Sequence, residues 1–171
     1  VEALARLREE VTHLVEPPFS GGGRTRAATR TAQSGAPRTA RPKVLVVGET
    51  TAAVAGMFRA AGADAATCDL KPTENPDIPH YQGDASDVQD LGWDLVIGHP
   101  PCTFLSNAGV QWLYRDPKRW EQLLENAAIF RRMYAADAPF VAIENAKMHR
   151  FGRQLVGCEP TQYVHPWQHG M

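Results

Sequence analysis

The chain of 171 residues has only three cysteines, Cys68, Cys102 and Cys158, and no CxxC pair. Three thiols cannot all pair with one another, so a disulfide framework is excluded and reduced thiols in a cytoplasmic compartment are expected. No apolar run approaches the roughly 18 to 20 residues that a membrane span needs. Val1 to Val15 carry charges throughout, without a basic segment leading into an apolar one, so they do not read as a secretion signal. Neither GxGxxG nor GxxxxGK[ST] occurs, which removes the dinucleotide fingerprint and the P-loop. What remains, 43 % hydrophobic and 22 % charged, is the composition of one ordinary globular domain.

The net charge of −1 hides an uneven distribution. Residues 1–43 hold eight Lys+Arg against four Asp+Glu, whereas residues 44–171 hold ten against fifteen. Leu4, Leu7, Val11 and Leu14 repeat at helical spacing, and Pro17 and Pro18 end the pattern. We therefore expect an amphipathic helix over 1–18, docking on its own or another domain or subunit. Residues 19–43 are rich in Gly, Ser, Thr, Ala and Arg and read as a flexible basic linker, either a solvated tether or a sequence-independent attraction for phosphates. Val1 opens inside a helical pattern and Met171 follows an aromatic segment, so the chain is expected to be part of something longer, lacking a C-terminal strand.

From Val44 onward the pattern alternates between strand and helix. Strands are expected at Val44–Val47, Ala65–Asp69, His80–Gly83, Asp94–Gly98 and Phe140–Ile143. A first helix should bury Val54, Met57, Phe58 and Ala61 and stop at Gly62. A second, with Asp116 as N-cap and Pro117 at its first position, should bury Trp120, Leu123, Leu124, Ala127 and Phe130. Such alternation implies an α/β fold with a mostly parallel, doubly wound sheet covered on both faces, and ligands beyond the carboxyl ends of its strands.

The residues at those ends are therefore the ones that carry chemistry. Asp69, ending the second strand, is placed either to accept both hydroxyls of an adenosine ribose or merely to cap the loop before Lys71. After the fourth strand, Pro100 and Pro101 stiffen a turn and hold Cys102 in place, and Glu144 ends the neighbouring fifth strand. A thiolate beside a carboxylic acid is equipment for adding to an electron-poor ring and protonating it. His99 either makes a structural hydrogen bond, pairs with a phosphate, or lowers the thiol pKa. Cys68 and Cys158 read as small buried hydrophobes. His165 and His169 have a usable metal-ligand spacing with Cys158, but no fourth ligand is evident and no metal is expected.

Over Val44–Met171 the chain resembles the cytosine-5 DNA methyltransferases, and more closely short methylase-like proteins of bacteriophages with a Pro-Pro-Cys-Thr loop followed by Ile-Glu-Asn. The matching elements are Pro100-Pro101-Cys102-Thr103 and Ile143-Glu144-Asn145, and the tail Pro166-Trp167-Gln168-His169-Gly170 is similar to the phage group's Pro-Trp-Gln-x-Gly. The resemblance implies a Rossmann-like fold that takes S-adenosylmethionine as cofactor and DNA as substrate. It makes Cys102 the nucleophile and Glu144 its partner at the cytosine ring. It assigns the cofactor to Gly48, Glu49, Asp69, Leu70, Asp84 and Pro100, and the base to Pro101, Thr103 and Asn145. The chain departs from the large enzymes at Gly48-Glu49-Thr50-Thr51, which replaces their glycine loop, at Thr103 in place of Gln and at Ala146 in place of Val, and it has no room after Glu144 for a long target-recognition region. Alternative readings are methyl transfer to an exocyclic amine or a free nucleotide, and a degenerate relative that binds DNA without catalysis.

Overall fold

The computed structural model describes residues 40–169; the expected N-terminal helix and all but the end of the basic linker lie outside the described residues. Five strands, β1 (Lys43–Val47), β2 (Asp64–Asp69), β3 (His80–Gln82), β4 (Leu95–Gly98) and β5 (Phe140–Ile143), form one sheet. Every pairing is parallel and the order is β3-β2-β1-β4-β5. The chain winds outward from β1 to β3, then crosses back to start β4 on the other side of β1. The order therefore reverses between β1 and β4, where open α/β sheets form a crevice. Among the described residues no helix is long and apolar enough to cross a membrane.

β1 is central because its side chains can be buried on both faces: Val44, Leu45, Val46 and Val47 are all at most 2 % exposed. On one face Val44 and Val46 meet Ala52, Ala55 and Ala65 beneath α1 (Ala53–Ala60). On the other, Leu45, Val47 and Val96 pack against Met133 of α2 (Lys118–Tyr134). The expected apolar face of α1 holds for Val54 and Phe58, which pack half-buried against this cluster, and is corrected at Met57 and Ala61. Ala55 is the residue pressed to the sheet, whereas Met57 is 73 % exposed and Ala61 is exposed too. A helix lying this close to the strands needs a small side chain at the contact, which apolar periodicity alone does not distinguish.

Among the described residues the cover of the face beneath α1 is partial, short of the expectation that both faces are covered. Leu95 and Ile97 of β4 are half-buried, and Phe140 and Ala142 beside them on β5 are exposed. On that face α1 lies chiefly over β1 and β2. The second helix begins at Lys118 with Pro117 in the cap position, one residue later than expected; Asp116 Oδ1 still accepts from the Lys118 amide at 3.0 Å.

A second layer lies outside α2. Leu105, Leu113, Trp120, Leu123, Phe130 and Leu155 form a separate cluster joining the loop after β4, a 3-10 segment (Asn107–Tyr114), α2 and the short α3 (Arg150–Val156). Trp120 Nε1 donates to Leu113 O at 2.8 Å, so the largest core side chain keeps its polar atom satisfied. Neither the 3-10 segment nor α3 is anticipated by the sequence pattern.

Candidate functional site

The sheet ladder extends one residue past β1, β3, β4 and β5 at its carboxyl edge. The Gly48 amide donates to Cys68 O at 2.8 Å, His99 to Val47 O at 2.9 Å, Glu144 to Gly98 O at 2.9 Å and Gly83 to Asp69 O at 3.0 Å. Side chains at these positions are therefore held by sheet backbone rather than by mobile loops.

Gly48 is required where it stands. Its φ is +80°, and a Cβ there would lie 2.5 Å from His99 O. The chain turns sharply at that point and passes directly against the start of the β4 loop. Beyond it, Glu49 is 7 % exposed and both its oxygens are engaged, Oε1 by the Val54 amide at 2.7 Å and Oε2 by Ala55 at 3.2 Å. The α1 cap residue, Ala52, offers no side-chain oxygen, so Glu49 satisfies the exposed amides and the positive end of the helix in its place.

A cavity of about 640 Å³ opens over the ends of β1, β2 and β3. Gly48, Asp69, Leu70 and Asp84, which the resemblance assigns to the cofactor, line it together with Pro101, which it assigns to the base, and His99 joins them. Glu49 and Pro100, also expected as cofactor residues, are not among its lining residues. Asp69 Oδ1 accepts from the Lys71 amide at 2.9 Å. Asp84 Oδ1 accepts from Ser86 Oγ at 2.6 Å and Ser86 N at 2.9 Å. Those two bonds, the hydroxyl first, hold the Asp84 carboxyl below its usual range, so it is ionised at neutral pH.

The opposite wall carries residues that the sequence pattern missed: Gln89, and Ile129, Arg132 and Met133 from α2. The three helical residues sit at i, i+3 and i+4, which places them on one face. That spacing was the available signal, but it equally describes a core-facing stripe. Gln89 Nε2 donates to Arg132 O at 3.3 Å, tying this wall to the loop after β3.

Cys102, Thr103 and Glu144 are exposed and stand outside the lining of the cavity. Glu144 Oε2 lies 3.5 Å from His99 Nδ1. Asn145 Nδ2 donates to Pro100 O at 3.0 Å, so the end of β5 grips the proline turn of β4. His99 Nε2 and Asn145 Oδ1 are buried with no hydrogen-bond partner among the described residues. The Cys102 carbonyl accepts from Leu105 N at 3.1 Å and Ser106 N at 2.9 Å, which closes a tight turn directly after the thiol.

The three thiols separate by environment. Burial, reinforced by Asp69, Asp84 and Asp87, pushes Cys68 up to about 11, and burial with Glu159 nearby raises Cys158. Both are poor nucleophiles near neutral pH, while Cys102 alone is exposed.

His149 is a further residue that the pattern missed. It is 2 % exposed, with Nε2 2.8 Å from Phe104 O and Nδ1 accepting from Gly152 N at 3.0 Å. It thus caps α3 and pins the loop that carries Cys102. No group of three metal-capable side chains occurs among the described residues.

No protein-family model matches the chain, and no curated protein matches it. The fold alone is therefore assigned: an α/β domain with an all-parallel five-stranded sheet compatible with a Rossmann-like architecture.

Proposed function

We propose that this domain transfers a methyl group from S-adenosylmethionine to C5 of cytosine in DNA, through a covalent adduct of Cys102 assisted by Glu144. The observation that carries this reading is the pairing at the β4 and β5 ends. An exposed thiol on a proline-stiffened turn and a carboxylate beside His99 are anchored to each other through Asn145 and Pro100, at the rim of a cavity with acids from β2 and β3.

The cavity fits the cofactor. Its volume lies within the ~300–1,000 Å³ of small-molecule sites, and Leu70, Ile129 and Met133 give it apolar wall. Asp69 keeps Oδ2 clear of hydrogen bonds among the described residues, so it can receive a ribose diol. Gly48 lines the cavity at the β1 end with backbone alone. S-adenosylmethionine, when bound, supplies an electrophilic methyl group.

In this reading the Cys102 thiolate forms a bond to C6 of the cytosine while Glu144, as the acid, gives its proton to N3, which takes up the electron pair pushed through the ring. C5 gains enamine character and becomes the carbon that accepts the methyl group. Loss of the C5 proton to water then reforms the C5–C6 double bond and expels Cys102 as thiolate, and N3 returns its proton to Glu144. His99, 3.5 Å from Glu144, orients the carboxyl group.

A 5-fluorocytosine oligonucleotide tests the chemistry, because fluorine cannot leave as a proton. With S-adenosylmethionine present, mass spectrometry should find an adduct on Cys102 and none on Cys68 or Cys158. Cys102→Ser should abolish it and Glu144→Gln should slow it strongly. Methylation by Cys102→Ser at the parental rate would overturn the C5 mechanism in favour of an exocyclic amine. Absence of cofactor binding in calorimetry at millimolar concentration would favour the non-catalytic relative.

A further inference from the structure

Charge is segregated within the folded domain far more sharply than its total suggests. Residues 44–171 hold ten Lys+Arg and fifteen Asp+Glu, yet residues 102–119 and 145–163 together take six of those cations and two acids, Asp116 and Glu159. Everything else in the domain is left with four cations and thirteen acids. The two basic stretches are adjacent in space. Ser106 and Met148 form an isolated antiparallel bridge, and the Asn107 amide donates to Lys147 O at 2.9 Å. Arg153 meets Glu159 at 3.6 Å, but Arg115, Lys118, Arg119, Lys147 and Arg150 make no ion pair among the described residues.

Rings are interleaved with these cations. The Arg115 guanidinium lies 4.9 Å from the centre of the Trp112 ring, and Lys147 Nζ lies 6.0 Å from that of Tyr163. Trp112, Tyr114 and Tyr163 are 45 %, 53 % and 48 % exposed. Exposed aromatic faces cost solvation, and a purely electrostatic surface for an acidic protein has no use for them. Successive bases do, because every base offers a π-face, and they can stack only when unpaired.

We propose that residues 102–119 and 145–163 form a docking strip for single-stranded DNA running past Cys102. Its phosphates meet Arg115 and Lys147, and its bases stack on Trp112 and Tyr163. The strip deepens the reading above: that reading identifies the strand as DNA, whereas the charge and the rings argue for a single-stranded polynucleotide independently of any chemistry at Cys102. A free nucleotide would use neither the length of the strip nor its spare cations.

The test is fluorescence anisotropy of the full chain with labelled oligo(dT), which contains no cytosine, in the absence of cofactor. Trp112→Ala and Tyr163→Ala should each weaken binding roughly tenfold, with Trp112→Phe restoring most of it. Arg115→Gln and Lys147→Gln should each reduce the slope of log affinity against log salt by about 0.7, and Arg131→Gln, outside the strip, should leave it unchanged. The proposal is overturned if these variants bind like the parent, which would leave residues 19–43 to carry any affinity, or if duplex DNA binds as tightly as the single strand. Retained oligo(dT) binding without covalent trapping would sink the methyl-transfer reading alone; trapping with unaltered strip variants would sink the strip alone.

Discussion

Substituting Gly48 by Ala tests whether the site is positioned by close approach of β1 to the β4 loop. Two separable penalties are expected. The first is conformational: at φ +80° an L-residue with a Cβ loses about 1 to 2 kcal/mol relative to glycine. The second is steric, because the new methyl would stand 2.5 Å from His99 O and 3.3 Å from its carbonyl carbon, well inside ordinary contact. A backbone carbonyl cannot swing aside as a flexible side chain does. The ends of β1 and β4 must part instead, weakening the His99-to-Val47 bond now at 2.9 Å, and overpacking of this kind costs about 1 to 3 kcal/mol. Together they give about 2 to 5 kcal/mol, or a fall in Tm of roughly 8 to 20 °C for a domain of this size. Gly62 supplies the control: its φ is +93° but a Cβ there meets nothing within 4 Å, so Gly62→Ala should show the conformational penalty alone. Urea unfolding of both variants isolates the steric part by difference. Equal losses in the two variants would refute the account of Gly48 as a contact point.

Two further outcomes follow from buried polar groups. Glu49→Gln keeps one acceptor for the α1 amides but loses the charge, so it should destabilise the fold by about 1 to 2 kcal/mol in urea unfolding, and an unchanged midpoint would remove Glu49 from the cap. His149 has its pKa lowered from 6.5, chiefly by burial and against the Phe104 carbonyl bond that raises it. The unfolded chain therefore takes up this proton before the folded one. The contribution of His149 is fully present above pH 6.5 and is lost as pH falls through the lowered folded value. His149→Gln, which can still donate to Phe104 O and accept from Gly152, should flatten that part of the stability profile below pH 6.5. A parental pH dependence in the variant would assign it to other groups.

The strands were legible because parallel strands buried on both faces read as continuous apolar, β-branched runs, as Val44–Val47 does; Phe140–Ile143 is an equally continuous apolar run, although it lies at the sheet edge with Phe140 and Ala142 exposed. Their carboxyl ends followed, and with them Gly48, Asp69, Asp84 and Pro101, whose places at the cavity depend on strand order rather than on side-chain detail. Glu49 was misleading for a local reason. Its neighbour Ala52 cannot cap α1, and only the folded turn shows that the carboxylate is taken up there. The far wall was hidden because Ile129, Arg132 and Met133 belong to a helix whose apolar stripe already explains them as core. The 3-10 segment Asn107–Tyr114 has no periodicity of its own; Gly109 fits beneath the Thr103 carbonyl, and Leu113 is buried by Trp120 from α2, so tertiary contact alone defines it. α3 likewise depends on His149, a cap that is not among the residues usually read as helix starts.

The distribution of charge gives the two proposed ligands separate approaches. Asp69, Glu74 and Asp84 at the cavity outnumber Lys71 and Arg132, so the field over the β1–β3 ends favours a cationic sulfonium and opposes a phosphate chain. The strip beyond Cys102 has the opposite sign and favours the chain. Like-charge repulsion would keep a polynucleotide from lying across the cavity mouth and would draw it over the 3-10 segment, where the exposed thiol stands at the boundary between the two fields. Glu144 sits at that same boundary, and a bare carboxylate there would repel the incoming strand. His99, with Nδ1 3.5 Å from Glu144 Oε2, stands at that boundary too, so the carboxylate faces an imidazole as well as the strand.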